Sequence, residues 1–204
     1  MSRASCTSGS GRCSSVFSLA SPSASCASAG STIGRRPRDA ALLSAPVTVE
    51  LVSHSSLHTQ RLGERIAREA RPGDVIALWG ELGTGKTVLA RGIAEGLGID
   101  EEEVTSPTFI ILHEHSTGRL PLFHLDLYRL ATSDLGSTGW EECLDAGGVT
   151  VIEWPERAGD ALPPDRLDVR LAHIAESKRG VVLEPTGPRS RELLEGMRLD
   201  APGA

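Results

Sequence analysis

Residues 80–87, with the sequence GELGTGKT, combine the residue types that bind phosphate groups. They fit the pattern G-x-x-x-x-G-K-[ST], in which glycines let backbone N–H groups converge on an oxyanion. We expect the Lys86 ammonium to contact the β- and γ-phosphates and the Thr87 hydroxyl to bind Mg²⁺. Lys86 is one of two lysines in a chain with nineteen arginines, and a compact ammonium is not interchangeable with a guanidinium. The pattern predicts a nucleotide-binding loop.

The segments on either side of this loop have the order that a phosphate site requires. Val75–Trp79 is an apolar run with the length of one buried strand, and apolar residues recur at helical spacing from Val88 onward. Gly98 is the expected C-cap of that helix. The positive N-terminal end of the helix would face the phosphates. Strand, glycine loop and helix together predict a P-loop.

Two acidic residues follow apolar runs later in the chain. Asp126 follows residues 120–125, and Glu153 follows residues 149–152. Parallel sheets place their ligand sites at the carboxyl ends of the strands, so either acid would face the P-loop, where an acid holds Mg²⁺ or orients water. The better strand pattern favours Glu153, with Asp126 as the second candidate.

Other patterned segments complete the predicted fold. A strand is expected at 47–52, a helix at 59–70, short helices within 133–145 with Trp140 and Leu144 facing inward, and a hairpin from 166–174 and 179–184. These elements predict an α/β P-loop NTPase with three layers, a mainly parallel central sheet and an antiparallel C-terminal hairpin.

Two further motifs each admit a plain interpretation. The hydroxyl-rich segment TSPTF at 105–109 is either a simple turn or a switch segment near the γ-phosphate, since it follows the P-loop helix. His113 and His115 would share one strand face. They favour an exposed pair on an edge strand over a metal pair, because no cysteine or third ligand lies nearby.

Charge and cysteine content restrict the possible partners. Residues 1–38 hold five arginines and no acid, so residues 39–204 carry 16 basic and 27 acidic residues, a net charge of −11. An acidic domain is a poor binder of nucleic acid, and no apolar stretch is long enough to span a membrane. The four cysteines include no C-x-x-C pair, which favours a reducing compartment, the cytoplasm.

Composition also divides the chain. Residues 1–45, rich in Ser, Ala and Gly, are expected to be a disordered extension without function. Their Ser- and Arg-rich character leaves a transit peptide as the alternative. Residues 46–184 are the predicted P-loop ATPase domain, and residues 185–204 a flexible C-terminal tail with one weak helix near 191–197.

Four motifs in order make residues 50–184 resemble the TsaE (YjeE) family, the P-loop ATPases of bacterial tRNA threonylcarbamoyladenosine synthesis. They are GELGTGKT at 80–87, TSPTF at 105–109, HLDLYRL at 124–130 and IEWPE at 152–156. The resemblance implies ATP and Mg²⁺ as cofactors and weak ATPase activity alone. It also implies action with the TsaB and TsaD proteins on the adenosine beside the anticodon, with tRNA contacted through that complex.

The resemblance also implies roles for individual residues. Thr87 and Glu153 match Mg²⁺ ligands, Asp126 matches an acid needed for hydrolysis, and the TSPTF segment matches the switch. The implied catalytic residues are Lys86, Asp126 and Glu153. The implied nucleotide-binding residues are Thr59, Glu81, Leu82, Gly83, Thr84, Gly85, Lys86, Thr87, Val88 and Trp154. The sequence departs from the family around 113–115, where an aromatic residue is often found.

Three rival functions share the P-loop. A small-molecule kinase needs an arginine-bearing lid, for which Arg157 and Arg166 are the candidates, but no long lid insertion is evident. A GTP-dependent switch commonly uses an N-K-x-D loop, and this chain contains no asparagine. A vestigial loop that binds nucleotide without turnover is the third alternative.

Overall fold

The computed structural model of this chain describes residues 48–100, 104, 111–130 and 139–197. All of them belong to one unit, residues 43–204. The predicted extension at 1–45, the TSPTF segment at 105–109 and residues 133–138 of the segment predicted to form short helices (133–145) lie outside the described residues.

A seven-stranded sheet with the order β1-β7-β6-β2-β5-β4-β3 is the framework of the fold. Its strands are β1 Val49–Ser53, β2 Val75–Trp79, β3 Leu112–His115, β4 Leu122–Asp126, β5 Val149–Glu153, β6 Leu167–His173 and β7 Arg179–Pro185. The four central strands, β6, β2, β5 and β4, are parallel, and the outer pairings are antiparallel. The predicted α/β class, parallel centre and antiparallel C-terminal hairpin are confirmed.

Helices cover both faces of this sheet. Those in the described part of the chain are α1 Ser56–Glu69, α2 Lys86–Leu97, α3 Glu142–Asp145 and α4 Pro188–Gly196. One apolar cluster joins α1, α2 and α4 to the sheet. A second cluster on the other side contains Trp140, Cys143 and Ala158. Because both faces are covered, the central strands are rich in apolar residues, and all five residues of β5 are buried.

Helices α1 and α2 approach each other until their backbones touch. A Cβ atom on Gly92 would lie 1.9 Å from the Gln60 carbonyl oxygen, and one on Gly63 would lie 2.4 Å from the Leu89 carbonyl oxygen. Only glycine fits at such distances. The contact fixes the start of α1 against the start of α2, where the P-loop ends.

The expectation of a flexible tail from residue 185 is wrong for residues 185–197. Helix α4 buries Leu193 and Leu194 in the core. Its Arg189 forms an ion pair with Asp74, with 2.6 Å between Nη2 and Oδ2. The carboxylate of Asp165 accepts hydrogen bonds from the backbone N–H groups of Arg189 and Ser190, which caps the helix. The segment contains many charged residues, so its composition does not indicate that one face of the helix is apolar and buried.

Smaller predictions have mixed outcomes. Gly98 is the C-cap of α2 in the left-handed conformation, as predicted. Strand β3 is an edge strand, also as predicted, but His115 is buried and only His113 is partly exposed. Within the described ranges, no helix is both long and apolar enough to cross a membrane.

Candidate active site

The P-loop connects β2 to α2 in a conformation that depends on glycine. Gly80, Gly83 and Gly85 have φ values of 141°, 80° and 103°, in the region that other residues rarely adopt. Gly80 also has no room for a side chain, since a Cβ atom would lie 2.4 Å from the Leu171 carbonyl oxygen. The predicted glycine loop is therefore present, with its glycines required by the backbone.

Two contacts hold this loop in shape. The Thr84 hydroxyl is buried and donates to the Glu81 carbonyl oxygen at 2.8 Å. The Thr84 carbonyl oxygen accepts from Arg179 Nε of β7 at 3.1 Å. Between them, Glu81, Leu82 and Gly83 are exposed. The loop therefore presents its exposed tip to solvent while its end is tied to the sheet.

Lys86, the first residue of α2, turns back over the loop. Its Nζ donates to the carbonyl oxygens of Gly80 and Glu81 at 2.7 and 2.9 Å. Burial lowers the pKa of Lys86 below its usual value, and the nearby carboxylates of Glu153, Glu156 and Asp126 oppose that shift. The ammonium thus already lies at the loop where phosphates would bind, with two backbone carbonyl oxygens as hydrogen-bond acceptors.

Thr87 and Glu153, the two residues predicted to bind Mg²⁺, are in direct contact. The Thr87 hydroxyl donates to Glu153 Oε2 at 3.2 Å. Glu153 is the last residue of β5 and only 2% exposed, and its other oxygen, Oε1, lies 3.0 Å from Nε2 of His124. The structure therefore brings together one hydroxyl and one carboxylate beside the loop.

Asp126 ends β4 directly beside Glu153. The two residues are register partners in the parallel pair β4–β5, so their side chains leave the same edge of the sheet. Asp126 Oδ1 accepts from the backbone N–H of Tyr128 at 3.0 Å, and the side chain is half-buried. Both acids predicted from the sequence are thus at the carboxyl edge that carries the P-loop.

Trp154 and Thr59 both lie next to residues of the loop. Trp154 has φ 60°, the one positive value for a non-glycine residue in the described ranges. Its ring lies 4.7 Å from the Tyr128 ring, centroid to centroid. Thr59 is buried, with its hydroxyl 2.8 Å from that of Ser53. A Cβ atom on Gly85 would lie 4.0 Å from Thr59 Cγ2, while the Thr59 hydroxyl contacts Ser53 and the Ser55 carbonyl oxygen.

An open pocket adjoins the loop on the β6 side. Gly80, Glu81, Trp154 and Glu156 line it together with Arg170, whose guanidinium lies 4.8 Å from the Trp79 ring centroid. Val88 is half-buried in the first turn of α2. The predicted site residues therefore surround one loop, with exposed space beside it.

Comparison with known proteins agrees with this geometry. The sequence matches the family model described as "Threonylcarbamoyl adenosine biosynthesis protein TsaE" over residues 53–181. The chain belongs to the TsaE family. The predicted family resemblance is thus confirmed.

Relatives of this TsaE-family chain match most of its domain. A protein of Treponema pallidum named tRNA threonylcarbamoyladenosine biosynthesis protein TsaE is 42% identical over 133 residues, covering 65% of this chain and 97% of the relative. A Bacillus subtilis protein of the same name is 37% identical, covering 67% and 85%. The crystal structure of Bacillus subtilis YdiB has a TM-score of 0.63 and 32% identity, covering 74% and 93%. The chain has the P-loop NTPase fold of a family named for tRNA threonylcarbamoyladenosine biosynthesis.

The oxygen ligands of this TsaE-family site fit Mg²⁺. Within the described residues, no group of three or more His, Cys, Asp or Glu side chains could hold a metal ion. Mg²⁺ in phosphate sites usually binds one or two protein oxygens and completes its shell with water and phosphate. The neighbouring oxygens of Thr87 and Glu153 match that demand.

Sequence reasoning missed two contributors to the site. His124 contacts Glu153, and Arg179 holds the Thr84 carbonyl. The signal for His124 was available, because residues two apart on a strand share a face and His124 precedes Asp126 by two. Arg179 carries no such signal, since its contact depends on how β7 pairs with β1 and β6.

Proposed function

We propose that this protein binds ATP with Mg²⁺ and hydrolyses the ATP as a subunit of the assembly that forms threonylcarbamoyladenosine in tRNA. The contact between Thr87 and Glu153, beside the Lys86 ammonium, carries the proposal. At the end of the glycine loop, the Lys86 ammonium would contact phosphates, and the neighbouring oxygens of Thr87 and Glu153 would bind a metal ion. ATP hydrolysis needs these three groups together.

Each predicted residue has a part in this proposal. Lys86 neutralises the β- and γ-phosphates, and the backbone N–H groups of residues 81–88 hold phosphate oxygens. Thr87 and Glu153 hold Mg²⁺, and Asp126 orients the attacking water. Bound Mg²⁺ would stabilise the charge that develops on the phosphates. Thr59 supports the loop from behind, while Trp154 flanks the nucleotide.

We further infer that the protein acts with TsaB and TsaD in the cytoplasm and meets tRNA only through them. The net charge of −11 on residues 39–204 supports this, because an acidic surface repels the phosphates of RNA. The family name supports the tRNA pathway. A partner protein would then supply the tRNA-binding surface.

The contacts of Arg166 argue against the alternative, a small-molecule kinase of the P-loop class. Arg166 Nε donates to Asp168 Oδ1 at 2.8 Å, and its Nη1 donates to the Pro163 carbonyl oxygen at 2.8 Å. These contacts hold Arg166 at the start of β6, on the opposite edge of the sheet from the P-loop. The other candidate, Arg157, lies in a single 3₁₀ turn, Pro155–Arg157.

Phosphate release from ATP tests the proposal directly. The full chain is assayed alone and with purified TsaB and TsaD, beside an assay of phosphoryl transfer from radiolabelled ATP to small hydroxyl and amine acceptors. We expect slow release alone and faster release with both partners, with Lys86→Ala inactive in each case. Transfer to a small acceptor without release of free phosphate would establish the kinase instead.

A further inference from the structure

His124 is a fully buried histidine to which the proposed function gives no role. It lies in β4, with Nε2 3.0 Å from Oε1 of Glu153, while the other oxygen of Glu153 accepts from Thr87. We propose that His124 is a positioning residue that orients the Glu153 carboxylate toward Mg²⁺. This inference rests on the proposed Mg²⁺–nucleotide function.

The sheet places His124 on the inner side of the carboxylate. In the parallel pair β4–β5, His124 is the register partner of Val151, and Asp126 is the partner of Glu153. Side chains two apart on a strand share a face, so His124 is one step deeper in the sheet than the two acids. Thr87 reaches the same carboxylate from α2. Glu153 is therefore held between the sheet interior and the helix.

The hydrogen bonds indicate which nitrogen of His124 carries a proton. An ionised carboxylate only accepts, so Nε2 must donate to Glu153. Nδ1 is buried and has no hydrogen-bond partner in the described structure. A proton on Nδ1 would be a buried donor without an acceptor. The geometry therefore assigns Nε2–H as the donor to Glu153.

The Nε2–H donor holds the Glu153 carboxylate through Oε1 and leaves Oε2 available to Mg²⁺. With Mg²⁺ bound, the Thr87 hydroxyl would contact the metal, and the hydrogen bond from His124 to Oε1 would remain to hold Glu153. His124 is thus the contact that can keep the carboxylate aligned both without and with the metal. Partners of this kind typically contribute 10–100-fold to metal affinity.

Two amide substitutions at His124 separate positioning from packing. In His124→Gln the side-chain amide nitrogen can reach the place of Nε2, whereas in His124→Asn it ends one bond short. ATP affinity is measured by calorimetry across a Mg²⁺ titration and again with excess EDTA. Phe123→Leu, on the opposite face of β4 and also buried, is the control for packing loss.

We expect His124→Asn to raise the Mg²⁺ concentration needed for tight ATP binding by about 10–100-fold, with ATP affinity in EDTA unchanged. His124→Gln should respond to Mg²⁺ nearly as the wild type does, and Phe123→Leu should leave the Mg²⁺ response unaltered. An equal loss of affinity with Mg²⁺ and with EDTA would overturn the proposal, as would failure of glutamine to restore the response.

A measurement on the metal-free wild-type protein gives an independent test. Nitrogen-15 NMR of the imidazoles, with the His124 signals assigned by their absence from His124→Gln, should show a proton on Nε2 of His124. A His124 ring that carries its proton only on Nδ1 would refute the inference, even if His124→Asn does not fold. If wild-type ATP binding does not respond to Mg²⁺ at all, the proposed function itself fails, which is a distinct result.

Discussion

Lys86 Nζ lies 3.7 Å from the centroid of the Trp154 ring. The backbone of Trp154 has φ 60°, a conformation that costs a non-glycine residue on the order of 1–3 kcal/mol. The surrounding structure keeps this conformation, and it directs the ring over the ammonium. Phosphates that bind the loop must therefore draw Lys86 away from an aromatic face as well as from two carbonyl oxygens.

The first prediction is optical. ATP binding should change the fluorescence emission of Trp154, because the cation above its ring moves to the phosphates. Trp154→Phe should still bind ATP within about tenfold, since a cation–π contact contributes roughly 0.5–2 kcal/mol. The variant should lose the emission change, although Trp79 and Trp140 remain. If Trp154→Phe shows the same emission change on ATP binding as the wild type, the change comes from another tryptophan.

Lys86→Ala is expected to abolish ATP hydrolysis and weaken ATP binding by at least about 10-fold, because charge-assisted hydrogen bonds contribute roughly 1.5–3 kcal/mol each. The apo protein should unfold at the same temperature or higher. The pKa of Lys86 is lowered by burial, so below pH 10.5 the unfolded state binds this proton better and the charge disfavours folding. Calorimetry and thermal unfolding test both points.

Lys178→Ala is the matched control, because Lys178 is the other lysine of the chain and lies in the turn between β6 and β7. It should retain ATP affinity and turnover. Wild-type affinity in Lys86→Ala with Mg²⁺ present would mean that the P-loop assignment is wrong.

The two site acids should fail in different ways. Glu153→Gln removes a metal-side charge, so it should weaken the response of ATP binding to Mg²⁺. Asp126→Asn should lower turnover by at least about 100-fold, as loss of a general base typically does, and leave ATP bound. Mg²⁺ titrations of binding, followed by turnover assays with the partner proteins, separate these outcomes. The reverse pattern would exchange the two roles.

Asp165 should stabilise helix α4 in a pH-dependent way. Burial tends to raise the pKa of Asp165, but hydrogen bonds from Ser190 and Arg189 outweigh burial and bring the pKa below its ordinary 3.8. Asp165→Ala should therefore cost about 1 kcal/mol of stability at neutral pH. The difference from wild type is fully present above pH 3.8 and disappears as pH falls through the lowered folded-state value. Urea unfolding at several pH values measures it, with exposed Asp160→Ala as control.

Deletions at the two ends should have opposite effects. Removing residues 1–45 should leave folding and ATPase activity intact, because the described sheet begins at Val49. Removing residues 186–204 takes away α4 and exposes the core surface covered by Leu193, Leu194 and Met197, at a cost on the order of 5 kcal/mol. Circular dichroism melts compare the two. Loss of stability in the first deletion would make residues 1–45 a structural element.

Local patterns predict the central strands well, because burial and periodicity act within a few residues. Strand Val75–Trp79 and the end of β5 at Glu153 lie where the sequence places them. The start of α1 is three residues earlier than predicted, since Ser55 accepts a hydrogen bond from His58 N–H and acts as N-cap. Helix α4 was predicted only as a weak helix near 191–197 in a flexible tail, because its burial depends on Asp74 and Asp165, which are distant in sequence.

The candidate site shows the same division. The sequence predicts the P-loop glycines, Lys86 and Thr87, because all of them belong to one short motif. The contact between Glu153 and Thr87 depends on the pairing of β5 with β2, in which Leu78 lies opposite Glu153. A short sequence motif does not determine the register of two strands. The close contact between α1 and α2 could not be predicted either. Gly63 and Gly92 are required only because the two helices pack against each other at these positions.

Asp126 and Glu153 are joined by the ladder of β4 and β5, so the spacing between their backbones is as rigid as the sheet. A regulator of turnover cannot work by bringing these two acids together or drawing them apart. A regulator must instead act on how the ATP phosphates and the attacking water bind between the two acids. The tip of the P-loop at Leu82, 73% exposed, is a point at which another protein could contact the loop and affect when they bind.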